Sequence, residues 1–260
     1  MTADQVIAAL RSGHDDLVAL VHRMAPADAT KPTGASEWDV SQVLSHLGSG
    51  AEINLAALEW ALGGDKPAEG FNQSVWDRWD NKTPAERVAD FPAANQALIE
   101  KYESLDAATR QDLRVDLGFL PQPVDVATAG TFRLSEFAHH AWDVQVAFDP
   151  AAPLPAEAVP LLFDQSGFML GWVAKPDRLG GKEATLAVHT SGVDRSFGLV
   201  LGEKVELTGV PEQADGELRL PAEAWLRLVF GRLKPQYTPD GVTVTGPLTL
   251  DDLRAVFPGF

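Results

Sequence analysis

Apolar residues recur at helical spacing through the first half of the chain. Val6, Ile7, Leu10, Leu17, Val18 and Val21 predict a first helix over about residues 2–24. A turn-rich stretch from Pro26 to Ser36 follows. Val40, Val43, Leu44, Leu47, Ala51, Leu55, Leu58 and Leu62 predict a second helix over about 39–62. Asp39 caps it with Gln42 three residues on, and Gly63-Gly64 ends it. Thr83-Pro84-Ala85-Glu86 is a start signal for a third helix, running to about Ser104. After a loop rich in Pro and Gly, a fourth is predicted over about 131–148. Four helices of this length predict a bundle.

The pattern changes at Asp149-Pro150-Ala151-Ala152-Pro153-Leu154-Pro155, which reads as a linker. Beyond it a helix is predicted over 156–174. Short β-like runs follow over 184–189, 196–201, 204–210, 217–220 and 242–245. Further helices begin near Pro221 and at Thr249-Leu250-Asp251-Asp252. The expected fold class is α plus α+β: a four-helix bundle over 1–150 and a small α+β domain over 151–260.

Charge narrows the partners. With 37 acidic against 21 basic residues the net charge is −16, and there is no Lys/Arg run to displace counterions from nucleic acid or to meet an anionic membrane. The expected partners are therefore small molecules, and the expected assembly is a monomer or weak dimer. The chain has no cysteine, so any sulfur chemistry must use a sulfur brought by a ligand. The first residues lack the pattern of a signal peptide and no apolar run reaches ~18 residues, so a cytoplasmic location is expected.

The fourth helix carries the candidate chemistry. Glu136, His140 and Asp143 stand at i, i+4 and i+7, one polar line on a helix apolar nearly all round. Such a line is expected to face the bundle interior. A carboxylate beside an imidazole there needs compensation, which a divalent cation supplies. Two ligands are too few for zinc. The second helix offers His46, followed by the small residues Gly48, Ser49, Gly50 and Ala51, which allow close approach of a helix or a ligand. His46, Glu136 and His140 form a two-histidine, one-carboxylate set with an open position, and Asp143 orients an imidazole. His139 is a rival ligand at i+3 from Glu136. In a metal-free reading, His140 bonds Asp143 while Glu136 pairs with Arg133.

Trp38-Asp39-Val40-Ser41-Gln42-Val43-Leu44-Ser45-His46-Leu47 resembles the second-helix signature of the mycothiol-dependent maleylpyruvate isomerase family. Arg133-x-x-Glu136-x-x-x-His140-x-x-Asp143-Val144 resembles its fourth-helix signature. The segment from Leu220 to Leu233, containing Trp225, Arg227, Gly231 and Arg232, is similar to its C-terminal domain. The resemblance implies a DinB-like metal-binding bundle followed by a sterol-carrier-like domain. It implies one Zn2+ at His46, Glu136 and His140, and mycothiol as the attacking thiol. It implies Arg232 as a catalytic-site arginine that binds substrate carboxylates. Asp39 departs from the Ser or Thr common in that signature, though each can cap a helix.

Implied with these are cis–trans isomerisation of a maleylpyruvate-like substrate, or S-transfer to an electrophile. The alternatives are a metal-dependent hydrolase, with Asp143 or Glu52 as base, and a non-catalytic metal or small-molecule binding protein. Arg133, Arg227 and Arg232 are candidate cations for an anionic ligand; Arg227 and Arg232 equally suit a helix C-terminal charge. Trp76, Arg78 and Trp79 cluster in the loop between the second and third helices, where they either wall a ligand cleft or pack the loop.

Overall fold

The computed structural model describes residues 1–259, and the chain divides into two compact units, Met1–Ala152 and Pro153–Phe260. In the first unit the long helices are α1 (Ala3–Val21), α2 (Val40–Ala61), α4 (Pro84–Ser104) and α6 (Val126–Gln145), joined by the shorter α3 (Phe71–Asp80) and α5 (Ala107–Asp112). Both α1 and α2 pack against α4 and α6, so the order around the bundle is α1, α4, α2, α6. Two-residue strands β1 (Arg114–Val115) and β2 (Val124–Asp125) pair antiparallel before α6.

Local chemistry explains the helix ends. Thr2, Asp39 and Thr83 each close a reciprocal capping box with Gln5, Gln42 and Glu86. The fourth long helix starts at Val126, five residues before the position that periodicity predicts, because Asp125 caps it by accepting from the Thr128 N–H. Gly130, which weakens the apolar pattern there, is a contact point: a Cβ on it would lie 2.9 Å from Val6. The core is Leu10, Leu17, Leu44, Leu47, Leu58, Phe91, Leu98, Phe137 and Trp142, all essentially inaccessible, and each contributes roughly 1.5–3 kcal/mol of transfer free energy.

A buried polar chain ties the four long helices. Arg133 of α6 donates through Nη2 to the Leu47 carbonyl of α2 (2.9 Å) and to Asn95 Oδ1 of α4 (2.8 Å). Asn95 Nδ2 donates to His14 Nδ1 of α1 (2.9 Å). Burial holds the His14 imidazole below its ordinary pKa, which favours the neutral ring, and Nδ1 is the acceptor because its partner is the Asn95 amide N–H. Burial also brings the Arg133 guanidinium down to about 10, so it remains cationic at neutral pH.

In the second unit, α7 (Val159–Val173) precedes β3 (Ala184–Ser191), β4 (Arg195–Leu201), β5 (Val205–Thr208) and β6 (Gly216–Pro221). Then come α8 (Ala222–Val229), β7 (Thr243–Val244) and α9 (Leu250–Val256). The sheet order is β5-β4-β3-β6-β7. β3 pairs antiparallel with β4 (Leu186 opposite Leu199) and parallel with β6 (Val188 opposite Leu218). The β4–β5 excursion supplies the long connection that a parallel pair requires. Phe163, Phe197 and Trp225 meet edge to face, and Trp225 Nε1–H donates to Ser166 Oγ at 2.9 Å. Among the described residues no helix is long and apolar enough to cross a membrane.

Asn95→Ala deletes the carboxamide between Arg133 and His14. Hydrogen bonds to charged groups are worth about 1.5–3 kcal/mol, so urea unfolding followed by helical circular dichroism should show a loss of about 2 kcal/mol. A loss below ~0.5 kcal/mol, the range of neutral surface substitutions, would remove the network from the bundle's stability.

Candidate metal centre

α2 and α6 bring together the three side chains singled out by spacing. His46 lies near the start of α2; Glu136 and His140 lie one turn apart on α6. One donor atom from each falls within 4.8 Å of the others. His46 Nε2 is 3.1 Å from Glu136 Oε2, and His140 Nε2 is 3.7 Å from the same oxygen. Zinc–ligand bonds of ~2.0–2.2 Å at tetrahedral angles place donors roughly 3.3–3.6 Å apart. The two distances straddle that edge length, so the residues fit a single borderline divalent ion with small side-chain adjustment.

Asp143 sets the imidazole. It is fully buried, and His140 Nδ1–H donates to its Oδ2 at 2.9 Å. That bond puts the lone pair on Nε2, the atom facing Glu136 and His46. Gly34 in the loop before α2 permits the arrangement. Its N–H donates to the Asp143 carbonyl at 2.9 Å, and a Cβ on it would come within 2.7 Å of Asp143 Oδ1 and the Trp142 ring.

The polar line does not face the interior along its whole length. Side-chain exposure is 0% at Asp143, 14% at His140 and 56% at Glu136. The line climbs from the core to the surface along the α2–α6 contact, so the donor cluster is reachable from Glu136. His139 points elsewhere: it is buried, and its Nδ1–H donates to the Ser135 carbonyl at 2.7 Å.

Other predicted site residues take different positions. Arg133 is buried as the strut between α2, α4 and α6; its Nη2 donates to Leu47 and Asn95, and its charge also interacts with the Glu136 carboxylate. Gly50 makes room for it, since a Cβ there would sit 3.0 Å from Nη1. Trp76, Arg78 and Trp79 belong to the helix α3 and not to a loop. Trp79 is buried where Gly48 leaves space for its indole, and its Nε1–H donates to Glu52 at 2.8 Å. Trp76 is exposed. Burial acts to raise the Glu52 pKa, but hydrogen bonds from Arg78 and Trp79 outweigh it and hold the carboxyl below its ordinary value.

In the second unit, Arg227 is buried in a forked ion pair with Glu223 (2.6 and 2.7 Å) and donates to the Tyr237 carbonyl at 2.6 Å. It ties α8 to the chain that follows it. Gly231, at φ 72°, turns the chain after α8 and so sets the half-buried Arg232, whose Nη1 donates to the Phe230 carbonyl at 3.1 Å. Periodicity did not single out Gly34 for a site role, and Trp38 entered only through its motif. The indole of Trp38 lies against both His46 and His140. Apart from that motif, the sequence marks it by its place just before the Asp39 cap.

The family model for the mycothiol maleylpyruvate isomerase N-terminal domain matches residues 10–145. Two crystal structures are similar over 96% of this chain and 95% of theirs, each with a TM-score of 0.68. One is a mycothiol-dependent maleylpyruvate isomerase at 14% identity, the other a histidine-to-alanine mutant of such an enzyme at 13%. At these identities the likeness establishes the fold. No curated protein sequence matches the chain.

Purified protein is expected to bind close to one Zn2+ per chain, and His46→Ala to lose it, as read by elemental analysis after desalting. Loss of a partner that orients a metal-bound histidine costs about 10–100-fold in affinity, so Asp143→Ala should weaken Zn2+ binding by that factor in chelator competition. Wild-type affinity in Asp143→Ala would remove its orienting role.

Proposed function

The chain belongs, through residues 10–145, to the mycothiol maleylpyruvate isomerase N-terminal domain family, and on that premise we propose that it is a Zn2+-dependent isomerase that uses mycothiol as its nucleophile. The observation that carries the reading is the convergence of His46 Nε2, Glu136 Oε2 and His140 Nε2 on one small volume open to solvent beside Glu136. Two neutral imidazoles and one carboxylate leave a bound Zn2+ with a net charge of about +1 and a free position. Bound there, the ion would supply Lewis acidity, lowering the thiol pKa from ~8.5 so that sulfur is a thiolate at neutral pH.

The residues of this chain do the rest. His46, from α2, and Glu136 and His140, from α6, would hold the ion between two helices. Asp143 keeps the His140 proton on Nδ1, so the Nε2 lone pair stays available to the ion. The sulfur adds to one carbon of an activated cis double bond, and the π electrons move onto the conjugated carbonyl. Rotation occurs about the carbon–carbon single bond so formed. Collapse of the enolate expels the same thiolate, regenerates the double bond as trans and leaves no net change in atoms. Arg232 is the proposed partner for the substrate carboxylates, a role resting on the C-terminal segment's resemblance. The net charge of −16 makes such a local cation necessary, since screening beyond ~8 Å does not supply attraction.

Isomerisation is favoured over hydrolysis by what surrounds the cluster. Glu52 is engaged by Arg78 and Trp79, and Asp143 is buried beneath His140. A hydrolytic base drawn from either carboxylate would have to give up these bonds. With no cysteine in the chain, the reactive sulfur must arrive as a small-molecule thiol.

Maleylpyruvate loss should require both added mycothiol and bound Zn2+. Chelation should abolish it, and Zn2+ should restore it. Arg232→Ala should raise KM for the dicarboxylate by about 10–100-fold, the loss of one charge-assisted bond of about 1.5–3 kcal/mol. Turnover without thiol would contradict the reading, as would full activity in His46→Ala.

A further inference from the structure

Trp38 is explained neither by the ligand set nor by core packing. Trp79, Trp142 and Trp225 are buried to 0–1% exposure, as packing tryptophans are, whereas Trp38 is 37% exposed. Its indole nevertheless contacts two imidazoles at once. Its ring centroid is 5.2 Å from His46 at an interplanar angle of 44°, and 5.8 Å from His140 at 29°. The imidazoles themselves meet edge-on at 4.6 Å. Three rings thus close one flank of the donor cluster.

The backbone carrying the indole is fastened. Pro32 and Asp39 form an antiparallel bridge, and Val40 N–H donates to the Lys31 carbonyl at 3.0 Å. Thr33 Oγ1–H donates to the Trp38 carbonyl at 2.7 Å. Gly34 seats the same loop on Asp143, the residue that orients His140. One short loop therefore fixes both the indole and the carboxylate behind an imidazole.

We propose that Trp38 is a positioning residue of the metal centre. It sets the ring planes of His46 and His140 so that both Nε2 atoms converge on one ion, and it covers the imidazole flank, leaving the exposed Glu136 side as the approach for an incoming thiol. An imidazole stacked on an aromatic ring loses rotational freedom about its Cβ–Cγ bond, so less ordering remains to be done when the ion binds. The inference rests on the metal reading above, and its test separates the two.

Full-length wild type, Trp38→Ala, Trp38→Phe and His46→Ala are compared for Zn2+ affinity by chelator competition and for quenching of indole fluorescence by Co2+. Trp38→Ala should weaken Zn2+ binding about tenfold while the metal-free thermal midpoint stays at the wild-type value, and Trp38→Phe should recover most of the affinity. Co2+ should quench wild-type fluorescence, and most of that quenching should vanish in Trp38→Phe. Unchanged Zn2+ affinity in Trp38→Ala, with metal lost in His46→Ala, overturns the role of Trp38 and leaves the centre standing. Undiminished quenching in Trp38→Phe overturns it as well. An affinity loss that tracks a lowered metal-free midpoint and is not recovered by Phe reduces Trp38 to a folding role and overturns the proposal. Equal Zn2+ binding in His46→Ala and wild type removes the centre, and the proposal with it.

Discussion

The bond from Arg133 to the Leu47 carbonyl fixes α6 against α2, and the candidate site depends on that register. Arg133 lies one turn before Glu136, and Leu47 directly follows His46. A slip of one residue between the helices would carry His46 away from Glu136. The guanidinium is costly to bury, and burial lowers its pKa to about 10, yet it stays charged and partnered. Two small residues make the approach possible. Gly50 leaves room for Arg133, and Gly48 leaves room for Trp79, which in turn seats α3 on α2. The glycines that follow His46 thus serve packing, Gly48 against Trp79 and Gly50 against Arg133.

The cluster is graded from dry to wet. Asp143 is sealed in the core, His140 sits above it, and Glu136 reaches solvent. A buried carboxylate that accepts from an imidazole fixes the tautomer without competing for the ion. An exposed carboxylate can ligate and still allow exchange at the neighbouring position. Such a gradient suits a site that must hold an ion firmly and trade a small thiol quickly.

Much of the fold was legible where local chemistry was strong. The capping boxes at Asp39/Gln42 and Thr83/Glu86 marked α2 and α4. The i, i+4 spacing of Glu136 and His140 marked the ligand face of α6. Legibility failed where tertiary contact replaces a local signal. α3 has no side-chain cap and only Val75 and Trp79 buried, so its polar sequence reads as loop. The start of α6 contains Ala127, Ala129 and Gly130, which carry no strong apolar stripe; the Asp125 cap begins the helix there, and Gly130 lets it approach Val6. The parallel pairing of β3 with β6 leaves no mark on either strand alone. At the site, the charge of Arg133 was visible but its burial was not, because nothing local announces Asn95 as its partner. The bridge between Pro32 and Asp39, which carries Trp38 over the imidazoles, joins two residues whose sequence has no strand-like pattern.

X-ray absorption at the zinc edge of Zn2+-loaded protein, before and after addition of mycothiol, shows whether His46, Glu136 and His140 hold an ion with a position free for sulfur. The expected result is a first shell of light atoms at ~2.0–2.2 Å with two imidazole signatures, and a new sulfur scatterer at ~2.3 Å once thiol is added. The chain contributes no cysteine, so a thiolate-length Zn–S bond reports the added ligand. A shell lacking the two imidazoles, or one that gains no sulfur with thiol in excess, would contradict that site.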